Sequence, residues 1–161
     1  PQSAAELIRF NRLGQTYKFL WEKVTLSDDD QIAVLFGLSI RTTTMFTLIS
    51  DGAFFRKADG ETTWRYGHAF NAAAVGDYSE LSSGTVDTSA HNYALKVETD
   101  ASTLGTASVT FYMDGAALTS YSTTTLPHDE ELCLMFGVEN GEAVAKSLTI
   151  GAIRADVPNT A

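Results

Sequence analysis

The chain has one cysteine, Cys133, among its 161 residues. That excludes an intrachain disulfide, two-cysteine redox chemistry and a cysteine-built structural zinc site. Proline is nearly as scarce, at three residues, so no Pro-rich linker interrupts the sequence. Cations are also few. Eleven Lys and Arg stand against twenty Asp and Glu, a formal charge of −9, and no basic run is present. Nothing here would track a phosphate backbone or an anionic bilayer, which sets aside nucleic acid and membrane surfaces as partners. No apolar run approaches the roughly 18 residues of a membrane-spanning helix. The N-terminus lacks the basic-then-apolar order of a signal peptide, but the sequence opens at Pro1, so that absence says little about export. No repeat with a period of about 20–50 residues is visible, which argues against propellers and solenoids.

Apolar side chains, in contrast, are plentiful. They make up 44% of the chain, with nine Phe, six Tyr and two Trp. A chain of this length forms one domain and buries roughly 68–70% of its unfolded surface. Turn chemistry is the clearest ordering signal. Asp51-Gly52, Asp59-Gly60, Asp114-Gly115 and Asn140-Gly141 are dipeptides suited to positive φ, each beside strand-like residues. Val109, Phe111 and Met113 alternate up to Asp114-Gly115, which predicts a type I′ hairpin with Phe111 facing the core. Further strands are predicted at 18–26, 32–40, 54–57, 63–66, 93–98, 131–138 and 145–155. The Thr runs at 42–44 and 123–125 favour strand over helix. The Gly/Ala/Ser-rich stretch 66–90 reads as loops.

Only the N-terminus argues for a helix. Ser3-Ala4-Ala5-Glu6 has the spacing of a capping box, Leu7, Phe10 and Leu13 share one helical face, and Gly14 could end it. An extended arm is the rival reading. The pattern as a whole predicts an all-β, two-sheet antiparallel sandwich of the jelly-roll type. Residues 1–16 would be the short helix or arm, and residues 17–157 a single jelly-roll domain.

Several ordered segments carry a family resemblance. They are Leu20-Trp21-Glu22-Lys23-Val24-Thr25-Leu26 with Ala33-Val34-Leu35-Phe36-Gly37-Leu38, and Phe111-Tyr112-Met113-Asp114-Gly115. Asp129-Glu130-Glu131-Leu132, Val138-Glu139-Asn140-Gly141 and Leu148–Arg154 follow. Together they resemble capsid decoration (cement) proteins of tailed bacteriophages, with a concanavalin A-like or laminin-G-like jelly roll. Glu139 and Gly151 depart from the pattern, where Lys and an acidic residue are common. The resemblance implies a non-enzymatic virion protein on the capsid exterior, decorating and stabilising the shell as a homotrimer, with the major capsid protein as its partner. Leu7, Ile8, Arg9, Phe10, Arg12 and Leu13 are the candidates for capsid or subunit contact, because they combine apolar and basic side chains ahead of the sandwich. The same segment could instead cover an open edge of the sandwich. The alternative function is a carbohydrate-binding jelly-roll module of a virion or secreted protein, with Trp64, Tyr66 and Tyr78 as stacking platforms.

Concanavalin A-like folds also host glycosidases, which need a pair of closely spaced carboxyl groups. The Glu-x-Asp-x-x-Glu pattern does not occur. Asp28-Asp29-Asp30, Asp77 with Glu80, and Asp129-Glu130-Glu131 read as solvated turns, so no catalytic residue is assigned. Asp28-Asp29-Asp30 could hold a rim calcium only with oxygens from other segments. His68, His91 and His128 lack metal-ligand spacing, and Gly-x-Ser-x-Gly is missing. No metal or cofactor is expected. Cys133 reads as a buried structural thiol.

Overall fold

The computed structural model describes residues 8–40, 46, 49–72 and 79–158, apart from the side chains of 123 and 124. In chain order the strands are β1 (Thr16–Leu26), β2 (Ile32–Ser39), β3 (Gly52–Lys57), β4 (Thr63–Ala69), β5 (Ser79–Thr85) and β6 (His91–Thr99). After them come β7 (Thr106–Met113), β8 (Ala116–Thr125), β9 (Cys133–Asn140), β10 (Leu148–Thr149) and β11 (Ala152–Asp156). One sheet runs β10-β1-β6-β7-β8, with β11 also paired to β1, and the other runs β5-β4-β3-β2-β9. The pairings are antiparallel. The protein is therefore an all-β two-sheet antiparallel sandwich, and no helix occurs among the described residues.

Side-chain alternation builds the core. On β1, Tyr17, Phe19 and Trp21 are buried while Lys18 is exposed, as a strand with one wet face requires. On β2 all eight residues are buried. Its inward side chains, Val34, Phe36 and Leu38, join the main core. Its outward Leu35 belongs to a second cluster with Ile49, Phe54, Ala69, Ala72 and Met135, which covers part of the sheet's outer face. On the inner face of the five-stranded sheet Phe36 stacks on its register partner Phe55 at 4.9 Å. Phe55 also meets Tyr66, Tyr93 and Phe111 edge-on at 5.6, 5.3 and 5.2 Å, the T-shaped geometry that aromatic quadrupoles favour.

Among the described residues Lys57 is a fully buried cation. Lys57 ends β3 with no exposed surface, and its Nζ donates to the carbonyls of Asp30, Ile32 and Ala58 at 2.9, 2.7 and 3.1 Å. Burial pushes its pKa down, against the opposing pull of Asp59, Asp30, Glu61 and Asp28. Three main-chain acceptors satisfy its three N–H groups, as a buried ammonium needs. They also pin the β3–β4 turn to the start of β2.

The hairpin at Asp114-Gly115 is present, with φ of 50° and 82° at the two turn residues, the type I′ requirement. Asp59-Gly60 also turns between β3 and β4. Of the other two dipeptides, Asp51-Gly52 leads into β3 and Asn140-Gly141 ends β9, each beside a strand as expected. Two expectations need correction. The single strand expected at 145–155 is two, β10 and β11, separated at Ile150-Gly151. Within 66–90, read as loops, β4 extends to Ala69 and β5 forms over Ser79–Thr85. As an edge strand with mostly exposed or half-exposed side chains, β5 is held by its backbone bonds to β4 and leaves no apolar alternation to read.

Phe111 is fully buried and touches Phe55. Phe111→Ala is expected to lower the unfolding free energy by about 3–5 kcal/mol, measured by urea denaturation. A change under about 1 kcal/mol would contradict this packing.

Candidate functional site

The same alternation that buries aromatic residues on β3 and β4 sends charged ones outward. Arg56 lies between Phe55 and buried Lys57, and Arg65 between buried Trp64 and Tyr66. The two arginines are register partners on neighbouring strands. Glu80 on β5 pairs with Gly67 of β4, and its carboxylate serves both guanidiniums, at 3.3 Å from Arg56 Nη1 and 3.6 Å from Arg65 Nη1. Glu80 thus reaches across β4 to a residue on β3.

Gly67 makes that crossing possible. A Cβ there would stand 2.7 Å from the Phe54 ring and 3.0 Å from Glu80 Cγ, so a side chain on Gly67 would displace both. On the other flank, Glu61 grips Arg65, with both carboxylate oxygens 2.9 Å from Nε and a further contact to Nη2. The Arg65 hydrogen bond holds the Glu61 carboxyl below its usual range, aided by the Ala58 amide against a smaller effect of burial. The Glu61 bonds in turn raise the Arg65 pKa. Glu61 sits in the turn pinned by Lys57, whose Nζ binds the Ala58 carbonyl while Ala58 N donates to Glu61 Oε2 at 3.2 Å. An ion chain Glu61–Arg65–Glu80–Arg56 results, running across three strands.

Beyond Arg56 the chain opens into a shallow cleft of about 370 Å³, whose walls include Ala33, Phe46, Asp59, Glu139 and Asn140. The whole region offers planar donors and acceptors at fixed spacing beside one half-buried ring, Phe46. Its acids, Asp59, Glu61, Glu80 and Glu139, outnumber its cations, Arg56, Arg65 and the buried Lys57, so the local field disfavours an anionic ligand.

The stacking candidates fall elsewhere. Trp64 and Tyr66 are 1% and 0% exposed, each in edge contact with the core, Trp64 on Phe36 and Tyr66 on Phe55. The expectation that they present rings to a ligand is corrected: in Thr63-Trp64-Arg65-Tyr66 one alternate set must face inward, and the aromatic set gains far more from burial. Arg65, between them, is the residue that faces out. Tyr78 lies outside the described residues, as does Asp77.

Much of the expected contact arm belongs to the sandwich. Ile8 pairs with Leu132 through two main-chain bonds of 2.9 Å. Phe10 is 1% exposed and packs edge-on against Tyr17 at 5.0 Å. Arg9 is ion-paired to Glu131, and the Arg12 carbonyl accepts from Thr99 Oγ1 at 2.6 Å. Leu13 is exposed, while Leu7 lies outside the described residues. The reading of Ile8 and Phe10 as exposed contact residues is therefore corrected: Ile8 is half-buried beside Leu132 and Phe10 is buried against Tyr17 of β1, which is worth more than leaving them in water.

Asp28 also differs from a free calcium ligand. Its carboxylate accepts from Asp30 N and Gln31 N at 2.8 and 3.1 Å and from Lys146 Nζ at 2.5 Å. Led by the Lys146 bond, these contacts hold its pKa down at about 2. Cys133 is half-buried at a sheet edge, not enclosed, with Sγ 3.3 Å from the Ser39 carbonyl.

No protein-family model matches the sequence, and no curated protein matches it. Solved structures do match the fold. Galectin LEC-6 of Caenorhabditis elegans superposes with a TM-score of 0.51 at 13% identity, over 97% of this chain and 91% of that one. Sheep galectin-11, solved in complex with glycerol, gives 0.49 at 10% identity over 96% and 99% of the two chains. A tetrameric galectin from the sponge Cinachyrella sp. gives 0.47 at 14% identity over 93% and 97%. On the LEC-6 superposition the architecture is a concanavalin A-like, galectin-type β-sandwich. That match bears out the jelly-roll half of the sequence resemblance and gives its phage half no support.

Gly67→Ala is expected to cost about 1–3 kcal/mol through overpacking against Phe54 and Glu80, read as a lower urea midpoint. An unchanged midpoint would contradict the close approach over β4.

Proposed function

We propose that this protein is a non-enzymatic carbohydrate-binding module that takes an uncharged saccharide on the outer face of β3, β4 and β5. The observation that carries this reading is the chain Glu61–Arg65–Glu80–Arg56, which fixes two guanidiniums and two carboxylates on a rigid sheet. Saccharide hydroxyls are paired donors and acceptors, and planar charged groups meet them with strong, directional hydrogen bonds. Preorganised side chains also lose little conformational freedom on binding. The acid excess around the cleft favours neutral sugars over uronates or sialylated ligands. The galectin-type fold supports the reading as analogy, because a fold by itself does not set function.

The site's chemistry points away from hydrolysis. A glycosidase needs a carboxyl group of raised pKa as its acid. Glu61 is held in the opposite direction by Arg65, and Glu80 is shared between two arginines. Because the Glu61 carboxyl is depressed, its clamp on Arg65 contributes above the ordinary Glu range. The clamp is lost only as pH falls through that lower value, below about 4.3. The virion setting and the trimer rest on the sequence resemblance alone. A module of this kind could serve in that setting or in a secreted protein.

Titration calorimetry against a panel of neutral and anionic oligosaccharides tests the proposal. Neutral ligands should bind, with affinity steady from neutral pH down to about pH 5. Arg65→Ala should weaken binding about tenfold or more, as expected for hydrogen bonds to a charged group. Prolonged incubation should release no shorter sugars. Binding confined to anionic glycans, or an unaffected Arg65→Ala variant, would refute the site; sugar hydrolysis would refute the non-enzymatic reading.

A further inference from the structure

We propose that His91 is a pH-sensitive latch that ties the β5–β6 connection to the β7–β8 turn. His91 opens β6, and its imidazole bridges two carboxylates from different connections. Nδ1 lies 2.6 Å from Asp114 Oδ2, and Nε2 lies 3.0 Å from Asp87 Oδ1. The two acids are not equally anchored. Asp114 sits in the tight hairpin, where its Oδ1 accepts from Asn92 N at 2.8 Å and its own amide donates to the Asn92 carbonyl at 2.7 Å. Asn92 is tied on to β1, its Oδ1 accepting from Lys23 N at 3.0 Å. Among the described residues Asp87 is held, apart from His91, within its own connection, by Ser89 N at 2.6 Å, and the residues that follow, 88–90, are exposed.

An imidazolium donates from both ring nitrogens and satisfies both acids. A neutral imidazole has one N–H, so its other nitrogen turns a lone pair toward a carboxylate and that contact becomes repulsive. Asp114, which is shorter-bonded and better anchored, keeps the proton on Nδ1, and the Asp87 contact opens. Val86 is buried and its amide is bonded to the Thr62 carbonyl at 3.0 Å, so release is confined to residues 87–90.

The charged groups facing the ring are Asp87 and Asp114. β6 adds the uncharged Tyr93 ring at 6.3 Å, and β1 adds the Lys23 main chain by way of Asn92. Burial alone would lower the His91 pKa, but the two carboxylates outweigh it and leave it raised above 6.5. A raised histidine stabilises the fold below its unfolded value and loses that contribution as pH rises through the folded one. The latch is therefore shut in mild acid and opens in mild alkali. It lies beside the strand that carries Glu80, but it does not depend on the saccharide reading.

Amide exchange of the full chain at about pH 5.5 and about pH 8.5, with intrinsic rates divided out, tests the latch across the range where histidine titrates. Protection at Ser89 should fall several-fold at the higher pH, while protection in β7 stays constant. Asp87→Asn should abolish that difference and move the His91 titration, followed by ring-proton NMR, to lower pH. His91→Gln should also lose the pH dependence. Equal protection at both pH values in the native chain, or the same pH-dependent loss in His91→Gln, would overturn the proposal.

Discussion

The arrangement of the molecule depends on the Phe36–Phe55 stack, a cross-strand pair of β2 and β3 on the inner face of the five-stranded sheet. Phe55 is the hub at which Trp21, Tyr66, Tyr93 and Phe111 meet from both layers. Once Phe55 faces inward, strand alternation leaves its neighbours Phe54 and Arg56 facing outward. The register that pairs Phe55 with Tyr66 also pairs Arg56 with Arg65. A one-residue slip would put the arginines in the core and the aromatic residues in water, so packing and site geometry are specified together.

Two local devices refine that frame. Lys57 would be a liability on a buried strand end, yet its three carbonyl partners turn it into a clasp that fixes the turn bearing Glu61. Gly67 removes the one Cβ that would block Glu80 from spanning β4. The outer face of the five-stranded sheet is thereby divided. One part is sealed by the cluster around Phe54 and Leu35, and the other is left polar and ordered. In a chain carrying −9 overall, the ordered part combines fixed arginines with an excess of acids.

The fold was legible in the sequence because its signals are local. Val109, Phe111 and Met113 ending at Asp114-Gly115 state a strand and its turn within seven residues, and the aromatic alternation in β1 is equally plain. The site was less legible. Trp64 and Tyr66 drew attention as aromatic residues near a turn, but which alternate set faces water depends on the partner sheet, which a single strand does not disclose. Arg65 stood between them, and the alternation itself could have marked it. Glu80 could not be found this way. Its role depends on β5, an edge strand with no apolar rhythm, and on Gly67, whose purpose emerges only when Glu80 on the neighbouring strand reaches over it to Arg56 on β3. The arm showed a similar gap: Phe10 reads as a helix-face residue until β1 supplies Tyr17 beside it.

The central claim is that the ordered polar face of β3, β4 and β5 is the binding surface of this sandwich. Mapping amide and side-chain NMR shifts during titration with a neutral oligosaccharide tests it most directly. The account predicts that perturbations centre on Arg56, Arg65, Glu61 and Glu80 and extend toward Asp59 and Asn140, leaving the opposite sheet unchanged. Perturbations centred on the outer face of β1, β6 and β7, or none with any sugar, would contradict it.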